Sequence, residues 1–262
     1  MRQYLAPGEP DQNGLLAVGG KDFRYMRRVL RLTGGDMVQV RFPDGTCRNM
    51  TVCVVDERSR KIVLQVCAPT DDREHSPSAA MDLWLFQFVA KSAKMDVIVR
   101  QATECGVSTI VPVLGTFSQA GGAEKNFRSE RLSRIIKEAR QQSGSPVATR
   151  LLDAVPLAQA IALWQEQCAG TAGDVFAAVL YERTERTQPL HTALAGKTVV
   201  RSALAVGAEG GISPQEIAQL CAGGFVPVHF DTNILRCETA ALYGIAALQN
   251  AMTEKHVWQC RE

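Results

Sequence analysis

The sequence predicts an α/β protein of two units: a small β-rich one over residues 1–70 and, after a linker at 71–80, a larger one over 81–262 built on a mostly parallel sheet. Three observations lead there. From residue 81 onward, strand-like and helix-like segments alternate in the pattern of β-α-β units. Before residue 70, short strand-like runs flank a strong turn signal, Pro43-Asp44-Gly45-Thr46. Near the C-terminus, Val206-Gly207-Ala208-Glu209-Gly210-Gly211-Ile212-Ser213 and Phe230-Asp231-Thr232-Asn233-Ile234-Leu235-Arg236-Cys237-Glu238-Thr239-Ala240 each follow an apolar run and lead into a helical pattern. Open α/β sheets hold small molecules in such strand-to-helix loops, at the carboxyl ends of the strands.

In the first unit, residues 21–30 pattern as a short helix ended by Gly34-Gly35, and strands are expected at 37–42, 47–55 and 61–68. In the second, strands at 82–88 and 109–114 flank a helix at 92–105, with Gly106 where a helix C-cap glycine belongs. A polar loop through Gly121-Gly122 precedes a helix at 129–142. A strand near 150–154, a helix at 157–167 and a strand at 175–180 come next. The strand at 199–206, the helix at 214–221, the strand at 225–230 and a long last helix to about residue 252 complete the unit. There is no internal repeat or low-complexity tract.

Composition narrows the class. At 262 residues, two domains are the expectation and one large domain the alternative. With 46% hydrophobic and 21% charged residues the chain is an ordinary globular protein. Its start, Met1-Arg2-Gln3-Tyr4-Leu5-Ala6-Pro7, lacks the apolar region of a signal peptide. No run approaches the roughly 18 apolar residues of a membrane span, so a cytoplasmic location without a membrane partner is expected. The eight cysteines (Cys47, Cys53, Cys67, Cys105, Cys168, Cys221, Cys237, Cys260) form no CxxC pair, and most sit in apolar runs. They are expected to be buried free thiols, with no metal site. The net charge of +2 announces no polyanion partner, but Lys21, Arg24, Arg27, Arg28 and Arg31 cluster against Asp22 alone. Patches of that kind neutralise phosphates; a solvated basic face is the alternative.

The glycine loop is well specified locally. Ser213 is a good N-cap, Pro214 suits the first helical position, and Glu216 completes a capping box. Gly207, Gly210 and Gly211 permit close backbone approach to a ligand. The spacing is neither GxGxxG nor a P-loop, which argues against dinucleotides and nucleoside triphosphates. In the second segment, Arg236, Glu238 and Thr239 crowd into one helical turn, and Ala240, Ala241, Gly244, Ala246 and Ala247 form a small face for another helix to approach.

These segments resemble the signature of the RsmE family of SPOUT methyltransferases, roughly GPEGG(F/L)S..E and LG.RILR.ETA. Further blocks match in order. Lys91-Ser92-Ala93-Lys94-Met95-Asp96, running on to Gln101-Ala102-Thr103-Glu104-Cys105-Gly106-Val107, is similar to K..KME...QKATELGV. Ile136-Lys137-Glu138-Ala139-Arg140-Gln141-Gln142-Ser143 is similar to the family's EA.EQS, and Tyr25 to Leu32 followed by Gly35-Asp36 to its H..VLRL..GD. The chain departs from the pattern at Ala208, Asp231, Gln101 and Asn233.

The resemblance implies an S-adenosylmethionine-dependent enzyme that methylates N3 of a uridine in 16S ribosomal RNA of the small subunit. It implies a SPOUT-type domain with a deep trefoil knot that also forms a homodimer interface, and an N-terminal PUA-like β-barrel that binds RNA. By position, the cofactor loops fall at Leu180, Tyr181 and Glu182; at Gly207, Glu209, Gly210 and Gly211; and at Phe230, Ile234 and Leu235. Arg236 would stabilise negative charge on the uracil oxygens, and Glu238 would orient Arg236, act as base, or pair with a neighbouring cation. Glu209 would fix loop backbone. Arg24, Arg27, Arg28 and Arg31, with Lys91 and Lys94, are the candidate RNA contacts, an exposed helix start being the alternative for the two lysines. Two alternatives stay open: a non-catalytic RNA- or ribosome-binding relative with an altered cofactor pocket, and a methyltransferase with another target nucleotide.

Overall fold

The computed structural model describes residues 3–67, 82–118, 129–183 and 187–257. The expected linker at 71–80, the Gly121-Gly122 loop and Cys260 lie outside the described residues. Contacts divide the chain into one unit of residues 1–77 with 140–146 and a second of residues 78–139 with 147–262.

The first unit is a five-stranded sheet of β1 (Gln3–Leu5), β2 (Leu15–Gly19), β3 (Met37–Arg41), β4 (Cys47–Asp56) and β5 (Lys61–Val66), in the order β1-β3-β4-β5-β2. β1 runs parallel to β3 and the other pairs are antiparallel. Alternation sends Val38 and Val40 of β3, and Ile62 and Leu64 of β5, into one core with Tyr4, Val18, Phe23, Met26, Met50 and Val52. The Pro43-Asp44-Gly45-Thr46 turn closes the β3–β4 hairpin, with Gly45 at φ 89° and the Phe42 N–H bonded to the Thr46 carbonyl. β1 and β2 were not legible in sequence. They are short, and pairing with β3 and β5 is what makes them strands.

The helix expected at 21–30 is one α turn, α1 (Gly20–Arg24), that widens into a π turn over Tyr25–Val29. The Leu30 N–H reaches the Tyr25 carbonyl. This keeps Phe23 and Met26 in the core and leaves Arg24 and Arg28 exposed.

In the second unit, β6 (Asp82–Phe88), β7 (Thr109–Leu114), β8 (Arg150–Leu151), β10 (Asp174–Leu180), β11 (Gln188–Pro189), β12 (Val199–Val206) and β13 (Phe225–His229) lie in the order β11-β13-β10-β12-β6-β7-β8, with β9 (Val155–Pro156) also on β7. Every pair is parallel. The helices are α2 (Ser92–Glu104), α3 (Ser129–Ser143), α4 (Leu157–Cys168), α5 (Leu190–Ala193), α6 (Pro214–Ala222) and α7 (Cys237–Val257). Both faces of the sheet are covered, which is why its strands are nearly continuous apolar runs. On one face Leu83, Leu85 and Leu204 pack with Met95, Ile98, Ala241 and Ile245 of α2 and α7. On the other, Trp84, Phe86 and Val113 pack with Trp164 of α4 and Ile217 and Leu220 of α6.

The strand expected at 150–154 is only two residues, β8, with β9 following after a break. Gly106 ends α2 as expected, at φ 77°, with the Val107 N–H on the Ala102 carbonyl and its own N–H on that of Thr103. The small face of α7 takes the expected approach of another helix, α2, with Ala241 packed among Met95 and Ile98, and at Gly244 it also approaches the sheet. A methyl group on Gly244 would lie 2.8 Å from both Leu180 Cδ1 and Leu204 Cδ2, so at this position the close approach is to strands β10 and β12. The seven described cysteines are free, but only Cys237 is buried, while Cys53 and Cys221 are exposed. Both exposed thiols stand on elements with one face toward solvent, β4 and α6.

Candidate active site

Three loops leave the carboxyl ends of neighbouring parallel strands. Residues 181–183 follow β10, residues 207–213 follow β12, and residues 230–236 follow β13. Leu180 pairs with Val228 and Val179 with Ala205, so the three strands end at nearly one level. The Tyr181 N–H binds the Val228 carbonyl, joining the first loop to β13.

The glycine loop doubles back on itself. Its Gly211 N–H binds the Ala208 carbonyl, and Gly211 sits at φ 77°. A methyl group on Gly207 would fall 2.7 Å from the Gly211 carbonyl carbon, so glycine is required there. A methyl group on Gly211 would meet the Glu182 carboxylate at 3.8 Å, which brings the first and second loops together. Ser213 caps α6 in the expected capping box. Glu216 does more than cap: its carboxylate accepts from the Ser213 N–H at 2.8 Å and from the Thr116 N–H at 2.6 Å. Burial pushes this carboxyl up, but the hydrogen bonds from Thr116 and Ser213 outweigh it and hold it below the usual range.

Beside the glycine loop, Glu209 accepts from the Lys91 N–H at 3.1 Å, at the start of α2. Lys94 on the first turn of α2 stands 3.1 Å from Glu238 and 3.9 Å from Glu209. It also approaches the buried Cys237 thiol at 3.8 Å, and that thiol donates to Glu238 at 3.3 Å. Hydrogen bonding to its own backbone N–H, and then to Lys94 and Cys237, holds the Glu238 carboxyl below its ordinary value. The bond to Glu238 raises the Lys94 ammonium, and burial pushes the Cys237 thiol up to about 11.

Arg236 is exposed and makes no ion pair among the described residues. Of the roles expected for Glu238, the structure makes the pairing with a cation, Lys94, and no ion pair with Arg236 among the described residues. Ile234 is 88% exposed, and Phe230 meets Tyr243 edge-on with ring centroids 4.9 Å apart. Asp231 departs from the family's glycine without strain, because Arg31 and Arg60 are the only described non-glycine residues at positive φ. Ala208 is buried against the Phe86 and Val179 side of the sheet. Gln101 lies on α2 about two turns beyond Lys94, away from the loops.

Of the other candidate RNA contacts, Lys91, Arg24, Arg28 and Arg31 are exposed. Arg27 is engaged internally with Glu57 at 2.7 Å and with the Leu32 carbonyl. Sequence reasoning missed Gln87, which is fully buried with its Nε2 donating to the Phe88, Val206 and Gly207 carbonyls at 3.0, 3.3 and 3.2 Å. A lone amide between Phe86 and Phe88 in an apolar strand was the available signal. It also missed Phe117, 47% exposed, whose Cβ would lie 2.9 Å from a methyl group on Gly210.

Residues 77–249 match the family described as RNA methyltransferase domain. The ribosomal RNA small subunit methyltransferase E of Aquifex aeolicus is 33% identical over 170 residues, which are 64% of this chain and 69% of that protein. The protein of the same name from Mycobacterium bovis is 28% identical over 245 residues, 91% of this chain and 87% of the relative. The crystal structure of ribosomal RNA small subunit methyltransferase E from Neisseria gonorrhoeae bound to S-adenosyl methionine superposes with a TM-score of 0.76 at 22% identity, covering 95% of this chain and 97% of that one. That likeness extends over both units of the fold.

Proposed function

The chain belongs to the RNA methyltransferase family, in its ribosomal RNA small subunit methyltransferase E branch, and from that premise we propose that it methylates N3 of a uridine in 16S ribosomal RNA with S-adenosylmethionine. The observation that carries the reading is the glycine loop folded back at the end of β12, beside the loop after β10 and at the same sheet edge as the loop after β13.

The loops suit that cofactor. Gly207 lets the loop close on the Gly211 backbone and Gly211 holds a left-handed turn, so a ligand at this loop would meet backbone rather than side chains from these two residues. Leu180, Tyr181 and Phe230, Ile234 and Leu235 bring the flanking loops to it, and Glu182, already against Gly211, is a carboxylate suited to ribose hydroxyls. When bound, S-adenosylmethionine supplies an electrophilic methyl group. The protein's part is to place the uracil in line and to stabilise charge as N3 loses its proton. Arg236, exposed and without an ion pair among the described residues, is the cation for the uracil oxygens. Glu238 is already committed to Lys94 and held ionised, which favours an anchoring role over that of the base.

Further parts of the reading have their own support. The chain passes from β10 to β12, crosses to β13 on the far side of β10, and then returns through α7 to pack on β12, an order that suits a trefoil knot. The exposed Ile234 and Tyr243 at the start of α7 favour a homodimer through this edge. The first unit, with Arg24, Arg28 and Arg31 exposed around its π turn, is read as a PUA-like module that holds RNA phosphates. With this substrate the protein belongs in the cytoplasm.

Calorimetric titration with S-adenosylmethionine tests the proposal, followed by mapping of methylated uridines on small subunits treated with the protein. One cofactor per protomer and a new N3-methyluridine are expected. Absence of cofactor binding both with and without subunits would leave the non-catalytic binder as the better account.

A further inference from the structure

Lys94 was expected either to touch RNA or to stand exposed at a helix start, yet its surroundings are those of a side chain turned inward to the site. Its ammonium is 3.1 Å from Glu238, which opens α7, and 3.9 Å from Glu209, which belongs to the glycine loop. The side chains of Lys94 and Glu238 are only 27% and 22% exposed, so solvent screens this contact less than an open surface pair. Glu209 in turn accepts the Lys91 N–H, at the α2 terminus where the unpaired amides favour an anion. The same carboxylate of Glu238 accepts the hydrogen bond of the buried Cys237 thiol. The Lys94 and Glu209 contacts each join elements far apart in sequence.

We propose that Lys94 is a positioning residue: held between Glu238 and Glu209, it clamps the first turn of α7 to the glycine loop and so sets the relative placement of the second and third cofactor loops. Arg236 immediately precedes that turn, so the clamp also sets where its guanidinium starts from. The apolar packing of α2 on α7, through Met95, Ile98, Ala241 and Ile245, does not involve the ammonium, so the fold stands without it. The inference rests on the functional reading above for its effect on cofactor and RNA, but the clamp itself is a property of the free protein.

The full chain is compared with Lys94→Met and Lys94→Arg by amide exchange without cofactor, by calorimetry with S-adenosylmethionine, and by the salt dependence of RNA binding. Lys94→Met should speed exchange in residues 207–211 and 237–241 and weaken cofactor binding by about twofold to fivefold, the order of one partly screened ion pair. Lys94→Arg should restore both, and the slope of RNA affinity with salt should be the same in all three. Unchanged exchange in Lys94→Met would overturn the clamp. A salt slope lowered by about one, with cofactor affinity intact, would make Lys94 a phosphate ligand instead. If Lys94→Met does not fold, Lys94→Gln carries the same expectations. If the wild-type protein binds no cofactor, the functional reading fails while the exchange arm still decides the clamp.

Discussion

Arg236 and Gly207 illustrate two ways in which a single residue serves this site. Gly207 acts by what it lacks, since a methyl group there would press on the Gly211 backbone at 2.7 Å. Arg236 stands exposed at the end of the loop after β13 while its neighbour Glu238 is held by Lys94, which makes it the proposed cation of the site. If Arg236 stabilises the uracil oxygens, Arg236→Ala should lower the rate of methyl transfer about a hundredfold to a thousandfold. Cofactor affinity and the thermal midpoint should not move, because the exposed side chain makes no ion pair among the described residues. Single-turnover rates with calorimetry on the same preparation check this, and full retained activity would remove Arg236 from the mechanism. The sequence announced both residues, but the partner of Glu238 is 144 positions upstream on another helix and only the fold names it.

Among the elements, α6 and α7 carry the site through their first turns and their tight faces. Glu216 satisfies both its own N-cap and the Thr116 N–H of the neighbouring loop. Its folded carboxyl lies below the ordinary value, so its contribution is complete above the usual carboxylate range near pH 4.3 and is lost as pH falls through the folded value. Glu216→Gln should therefore be destabilised most at neutral pH, with a shallower loss on acidification than the wild type. Urea midpoints between about pH 7 and pH 3 check the sign. On α7, Gly244→Val would drive methyl groups into Leu180 and Leu204 and should cost about 1–3 kcal/mol in chemical unfolding. A neutral result would mean that the helix can slide away from the sheet.

At the scale of the whole molecule, a net charge of +2 conceals a local basic surface. Arg24, Arg28 and Arg31 face solvent around the π turn, whereas Arg27 is used to hold Glu57 and the Leu32 carbonyl. Reversing Arg24 and Arg28 together should weaken RNA binding and lower its salt slope by about one for each phosphate no longer neutralised, with cofactor affinity unchanged. Filter binding across a salt series reads this. An unmoved slope would leave the patch a solvated face. Arg27 is a poor choice for the same test, because its removal would also break its contacts with Glu57 and the Leu32 carbonyl.

Much of this protein was legible in its sequence because the signals are local. Strand-to-helix alternation, the capping box of Ser213 and Glu216, the C-cap at Gly106 and the turn at Gly45 are each settled by residues within a few positions of one another. The turn at residues 207–211 was legible for the same reason, since glycine spacing declares where backbone must turn, whereas the loops after β10 and β13 carry no glycine and were assigned to the cofactor by the family resemblance. What the tertiary structure decided are pairings between distant segments: β1 and β2 as strands, Gly244 against Leu180 and Leu204, Gln87 gripping the carbonyls of β12, and Lys94 between Glu209 and Glu238. A basic residue on a helix start looks alike in sequence whether it meets solvent, phosphate or carboxylate. Its partner is set by which strands lie side by side, and local patterning carries no record of that.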